Sequence, residues 1–273
     1  MYYVQKVLNN NALLVSDDKN AECILLGKGI GWGKKIGEYV EGNTDIKEYK
    51  LVAGDNRLSQ IGQGNGIEPQ YLEAAGQIIE VAQQVFGEIS SDILLPLADH
   101  IAFAAKRARE KMVTANPFIP DIKVLYGREY AVALECRESV RELAGYEISD
   151  DEAGFIALHI HSGLSHEEIS ETLRDTQIIN RSMQWIDRET NKEPDKSAMT
   201  YIRLLSHLYY MIVRARNGGK VNIALNEYMR ENYTQAMILA EKVCAYISSE
   251  LGQSLDEQES GYLAIHIQRY FAE

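Results

Sequence analysis

The feature that most narrows what this chain can fold into is an internal repeat. Laid on itself with an offset of 107 residues and no gaps, the chain superimposes His100 on His207, Leu97 on Leu204, and Arg107-Ala108-Arg109 on Arg214-Ala215-Arg216. The same offset places Glu152, Gly154, Ala157, His159 and Ile160 on Glu259, Gly261, Ala264, His266 and Ile267. Self-similarity at one fixed spacing marks a duplicated folding unit. Apolar residues recur at three- and four-residue intervals in PQYLEAAGQIIEVAQQVFG, LLPLADHIAFAAKRAREKM, REYAVALECRESVRELAG and DEAGFIALHIHSGL, the spacing that puts an apolar stripe along a helix. Two homologous all-α helical bundles are expected, over residues 67–170 and 171–273, each with two histidines 59 residues apart.

The first 50 or so residues follow a different rule. YYVQKVL, ALLVS, ECILLG and IKEYKLV are short runs rich in β-branched and aromatic residues, separated by NNN, DDKN and a glycine-rich stretch, the pattern of antiparallel strands and turns. A sheet this small is marginal alone and gains from packing against a second copy, so a dimer is expected. The chain is thus read as multidomain: a small antiparallel β-sheet domain at 1–55, a linker at 56–66, then the two bundles. AGDNRLSQIGQGNG, over 53–66, has the Gly, Asn, Gln and Ser content of a linker, and Leu58 and Ile61 could extend a short helix within it.

Composition removes several classes of function. Apolar residues make up 45% and charged residues 25%, the balance of a globular protein rather than a disordered one. No apolar run approaches the roughly 20 residues that span a bilayer. The opening MYYVQKVLNNN has neither the apolar core nor the cleavage site of a signal peptide, so the cytoplasm is the expected location. Cys23, Cys136 and Cys244 are odd in number and far apart, matching neither a disulfide framework nor a CxxC metal pair, and read as buried thiols. A net charge of −12 argues against a chain that coats nucleic acid by charge alone, so any nucleic-acid site is local.

Four of the six histidines, His100, His159, His207 and His266, sit at repeat-equivalent positions among apolar neighbours. Each reads either as a partly buried structural ring or as half of a functional pair. A metal site would want further Cys, Asp or Glu ligands at close helical spacing, and none is present. Nucleophilic catalysis would want a motif such as GxSxG, also missing, and no cofactor is expected. Phosphoryl acceptance needs only a ring neutral part of the time near pH 7, with positive charge near the product. Arg107 and Arg214 follow the first histidine of each domain by seven residues, two turns along the same face. They read equally as phosphate-stabilising guanidinium groups or as solvated cations closing a helix.

In the β-domain, Lys6 and Asn9-Asn10-Asn11 form a polar cluster at a turn, and Gly27-Lys28-Gly29-Ile30-Gly31-Trp32-Gly33-Lys34-Lys35 forms a glycine-rich basic loop. Lysines meet phosphates, asparagines read base edges, and an exposed tryptophan stacks on an unpaired base. The alternative is a hairpin turn over a core tryptophan.

KVLNNNALLV followed by LLGKGIGWGKKIGEYV resembles the co-antiterminator (CAT) RNA-binding domain of the BglG/LicT/SacY family. LADHIAFA, ALHIHSG, LLSHLYY and AIHIQRY resemble its tandem phosphotransferase-system (PTS) regulation domains, so the likeness covers essentially the whole chain. The resemblance implies a transcription antiterminator, not an enzyme. Its dimeric CAT domain would bind a ribonucleic antiterminator hairpin in nascent mRNA and prevent an overlapping terminator from forming. It implies RNA contacts by Lys6, Asn9, Asn11, Gly27, Lys28, Gly29 and Trp32. It also implies phosphorylation of His100, His159, His207 and His266 by the phosphotransferase carrier HPr and a sugar-specific enzyme II, usually inhibiting through the first regulation domain and activating through the second. Lys28 and Trp32 depart from the arginine and phenylalanine common at those places. The rival reading is an all-helical metal-dependent hydrolase with an accessory β-domain.

Overall fold

The computed structural model describes residues 1–42, 46–50, 67–112, 114–190 and 195–272. The expected linker at 56–66, with Leu58 and Ile61, lies outside the described residues, as do Leu51 and Val52 of the fourth β-rich run. Two compact units emerge: Met1–Ile119 with Tyr126–Thr172, and Pro120–Leu125 with Leu173–Glu273.

The first unit opens with an antiparallel sheet in the order β4-β1-β2-β3-β5, formed by β1 (Tyr2–Asn9), β2 (Ala12–Ser16), β3 (Glu22–Leu26), β4 (Tyr39–Val40) and β5 (Lys47–Lys50). All four expected runs form strands, and Tyr39–Val40 adds an edge strand too short to read from sequence. β1 and β2 make a hairpin about Asn10-Asn11 that pairs Asn9 with Ala12, and β2 pairs with β3 from Ala12 opposite Leu26 to Ser16 opposite Glu22. Alternation along the strands puts Val4, Leu13, Val15, Cys23 and Leu25 together on one face. β2 is buried along its whole length, as a central strand with both faces covered must be.

Among the described residues the helices are α1 (Pro69–Phe86), α2 (Leu94–Arg109), α3 (Ile119–Leu125), α4 (Gly127–Glu135), α5 (Arg137–Ala144), α6 (Asp150–Ser165), α7 (Ile169–Thr190), α8 (Met199–Arg216), α9 (Asn226–Asn232), α10 (Thr234–Leu251) and α11 (Glu259–Phe271). α1 packs on β1 so closely that a Cβ on Gly76 would sit 2.6 Å from the Leu8 carbonyl oxygen. Ser149 caps α6, its Oγ accepting from the Glu152 amide at 3.2 Å.

The 107-residue offset maps one set of helices onto the other. α2 falls within α8, α3 lands on α9, and the span of α4 plus α5 lands on α10. The two copies differ at Cys136, where the first breaks between α4 and α5, while the equivalent Val243 lies inside unbroken α10. Gly145 and Gly252 close the matching helices with left-handed φ of 71° and 68°, a conformation only glycine adopts without strain.

The second unit has its own core, built on Leu204, Leu208, Met211, Leu239, Val243, Ile247, Leu263 and Ile267. Asp121 of α3 is fully buried in this unit, accepting from Asn180 Nδ2 at 2.6 Å and Tyr201 Oη at 2.8 Å. Cys23, Cys136 and Cys244 are free thiols and all buried. No helix among the described residues is long and apolar enough to cross a membrane.

Candidate functional site

The hairpin and the glycine-rich loop are one structure. Asn9 is buried, its Oδ1 accepting from the Asn11 amide at 2.8 Å, and Asn11 Oδ1 in turn accepts from the Gly29 amide at 2.7 Å. Gly27 and Gly31 donate their amides to the Asn11 and Asn10 carbonyl oxygens at 3.0 and 2.9 Å. A Cβ on Gly31 would fall 2.2 Å from the Asn9 carbonyl oxygen, which makes Gly31 a required glycine that the sequence pattern did not single out. Gly29 turns the chain at φ 71°, with open space about it. The asparagines therefore build the loop that carries Trp32, and that ring is 74% exposed. It is not a core residue.

Lys6 on β1 and Lys28 in the loop have acidic neighbours within the same unit. Lys6 is ion-paired with Glu73 of α1, a half-buried contact, and Lys28 lies 2.9 Å from Glu88 with both side chains exposed. Glu88 holds the Lys28 ammonium above its usual range by hydrogen bond and charge.

In the helical domains the fold brings the repeat-equivalent histidines together. His100 on α2 meets His159 on α6 with ring centroids 5.3 Å apart, and His207 on α8 stacks on His266 on α11 at 4.5 Å. An aromatic at equivalent positions backs each pair: Phe155 lies 5.6 Å from His100 and Tyr262 lies 4.7 Å from His207. Burial dominates the chemistry. It pushes His159 well below the usual histidine range, and with His266 and Arg214 adding to it, takes His207 down to about 3. Burial and the cations Arg269 and Arg203 lower His266 as well. These three rings are neutral at pH 7 and keep a lone pair for an electrophile.

Arg107 and Arg214 do not point free guanidinium groups into these sites. Arg107 Nη2 donates to Glu152 Oε1 at 3.0 Å, and Arg214 holds Glu259 with two hydrogen bonds of 2.7 and 2.8 Å. The glutamates were visible in the sequence only as repeat equivalents. Burial alone would raise the Glu152 carboxyl, but His100 and Arg107 outweigh it and hold it below its usual range. Arg109 donates to Tyr71 Oη and Arg216 to Asp175, both structural ties.

The two histidines without repeat partners are placed differently. His161 Nδ1 lies 3.0 Å from Glu129 Oε1, and its ring packs on Tyr126. His166 ends α6 in the left-handed conformation at φ 57°. Among the described residues no group of three or more His, Cys, Asp or Glu could hold a metal ion.

Comparison with known proteins places the chain among described families. The CAT RNA binding domain matches residues 2–57, and the PRD domain matches twice, at 76–163 and 180–270. The GlcA/glcB genes antiterminator of Staphylococcus carnosus is 30% identical, the alignment covering 98% of this chain and 96% of that protein. The beta-glucoside operon antiterminator of Dickeya chrysanthemi is 29% identical over 99% and 97%, and the transcription antiterminator LicT of Bacillus subtilis 28% over 97% and 98%. A crystal structure of GlcT CAT-PRDI aligns with 60% of this chain and 98% of its own length, at 33% identity and a TM-score of 0.39. The hydrolase alternative draws no support from these relatives. The chain belongs to the family of transcription antiterminators that join a CAT RNA-binding domain to two PRD domains.

Proposed function

We propose that this chain binds an RNA hairpin in nascent mRNA through the loop carrying Lys28 and Trp32, prevents an overlapping terminator from forming, and is switched by phosphoryl transfer to His100, His159, His207 and His266. The observation that carries the control half is that both helical domains pair their repeat-equivalent histidines ring to ring. A duplicated imidazole pair, with burial lowering three of its four rings, suits a phosphoacceptor better than it suits a metal site or an acid–base centre. On this reading the chain acts by binding and is no enzyme, works in the cytoplasm as a homodimer, and takes phosphate from HPr and a sugar-specific enzyme II. The RNA half rests on the exposed Trp32 ring and the Lys6 and Lys28 ammonium groups, with Asn9, Asn11, Gly27 and Gly29 shaping the loop that presents them. Control follows from charge: a phosphoryl group adds about −1.5 to −2 charges at a packed helix pair, enough to favour one domain arrangement over another.

The test is to recover RNA crosslinked to the protein in cells. Leaders that overlap a terminator upstream of sugar-uptake genes are the expected yield. Recovery of scattered transcripts, or of none, would overturn the proposal.

A further inference from the structure

In each helical domain Nε2 of the first histidine faces a buried glutamate. Glu152 Oε2 lies 2.9 Å from His100 Nε2, and Glu259 Oε2 lies 3.9 Å from His207 Nε2. The carboxylates are enclosed, with side-chain exposures of 10% and 2%. Arginine fixes each of them: Arg107 through one oxygen, leaving Oε2 to His100, and Arg214 through both, which draws Glu259 away from His207. Nε2 of both rings is buried and has no well-aligned hydrogen-bond partner, so the carboxylate stands beside the nitrogen and off its N–H line.

A neutral imidazole carries one N–H and one lone pair, and its proton resides on the nitrogen that faces an anion. We propose that Glu152 and Glu259 are positioning residues for phosphoryl transfer, holding the proton on Nε2 so that His100 and His207 accept the phosphoryl group on Nδ1. The inference rests on the phosphorylation reading above. In the transfer, the Nδ1 lone pair forms the new N–P bond while the N–P bond to a phosphohistidine donor, protonated on its other ring nitrogen, breaks; the donor nitrogen keeps that electron pair and the donor leaves as neutral imidazole. The accepting ring, still protonated at Nε2, becomes cationic as the bond forms. A carboxylate beside Nε2 stabilises that charge, as the buried aspartate of a Ser-His-Asp triad does for its histidine. The arginines act one step further back, holding the carboxylate in place.

The test uses the full chain with 15N-labelled histidine, phosphorylated by phosphoenolpyruvate, enzyme I and HPr, with the cognate enzyme II where needed, and long-range 1H–15N spectra reading which ring nitrogen carries phosphate. Nδ1-phosphohistidine is expected at His100 and His207. Glu152→Gln should slow labelling of His100 by about tenfold or more and give a mixture of Nδ1 and Nε2 products. Glu152→Asp should restore part of the rate and the Nδ1 preference. Glu259→Gln should do less to His207, because the carboxylate is farther away. Phosphate on Nε2 of the unaltered chain would overturn the positioning role while leaving the phosphorylation reading intact, as would a Glu152→Gln chain with unchanged rate and product. No phosphate on either histidine would overturn the positioning role, and none on any of the four would overturn the phosphorylation reading as well. If Glu152→Gln fails to fold, the unphosphorylated wild-type chain still decides: 15N shifts must show His100 protonated at Nε2, and protonation at Nδ1 defeats the proposal.

Discussion

His207 and His266 stack at 22° between ring planes, whereas their repeat equivalents His100 and His159 tilt at 47°. The flatter, closer pair is also the more deeply buried at its first member, and burial is what takes His207 down to about 3. A histidine lowered in the folded chain binds fewer protons there than when unfolded. Stability that is complete above the unfolded value near 6.5 is therefore lost as pH falls from 6.5 toward 3. Each such ring steepens that loss by up to about 1.4 kcal/mol per pH unit. Thermal unfolding at pH 7 and pH 5 should show a smaller acid-induced drop for His207→Gln than for the wild type. Equal drops would mean that His207 does not stay neutral in the fold.

The CAT loop yields a pair of substitutions with opposite signatures. Trp32→Ala should leave the sheet intact, because the ring is exposed, and cost about 1–3 kcal/mol of RNA affinity if it stacks on a base. Gly31→Ala should disrupt the loop itself, since its Cβ would collide with the Asn9 carbonyl oxygen. Circular dichroism and a gel shift on the same RNA separate the two. A Trp32→Ala chain that keeps full affinity would remove Trp32 from the interface.

Acidic groups beside Lys6 and Lys28 should compete with RNA for these lysines. Glu73→Gln frees Lys6 from a half-buried partner and should tighten RNA binding several-fold. Glu88→Gln should do little, because an exposed pair such as Lys28–Glu88 contributes almost nothing net. Titration of leader RNA at one fixed salt concentration reads both. Weaker binding by Glu73→Gln would show that Glu73 supports the RNA-binding conformation instead of opposing it.

Periodicity and the repeat made the helices and the histidine pairs legible, because an apolar stripe and a fixed offset are properties of the sequence itself. What each histidine touches was not. Glu152 and Glu259 stood in the same offset, yet their contact with Nε2 depends on how α2 crosses α6 and α8 crosses α11. For Arg107 and Arg214 the sequence left phosphate stabilisation and a solvated helix end as equal readings, and neither reading included the glutamates that hold them. The inclusion of Pro120–Leu125 in the second unit was hidden for a related reason: it is settled by tertiary packing around Asp121, whose partners Asn180 and Tyr201 lie far along the chain. The break at Cys136 has no signal in the repeat, which aligns it with Val243 inside an unbroken helix. In the β-domain the asparagine run was legible as a turn, but not as the brace of the loop that follows.

The proposed phosphoacceptors give the last prediction. Incubation with phosphoenolpyruvate, enzyme I and HPr, with the cognate enzyme II where needed, should place acid-labile phosphate on one or more of His100, His159, His207 and His266, and none on His161 or His166. His161 is held against Glu129 and Tyr126, and His166 serves as the left-handed end of α6. His207 is itself enclosed, at 4% side-chain exposure. A dianion cannot remain in such a setting without solvent or a new cation, so phosphate on His207 must loosen α8 from α11. Amide exchange in those two helices should rise on phosphorylation, and His207→Asp, a partial mimic, should raise it in the same place. If the reading of opposed control is right, aspartate at His100 and at His207 should move antitermination on a reporter in opposite directions. Equal effects at both would defeat opposed control, unchanged exchange in a fully phosphorylated chain would defeat the loosening of α8 from α11, and no label on any of the four would leave the histidine duplication structural.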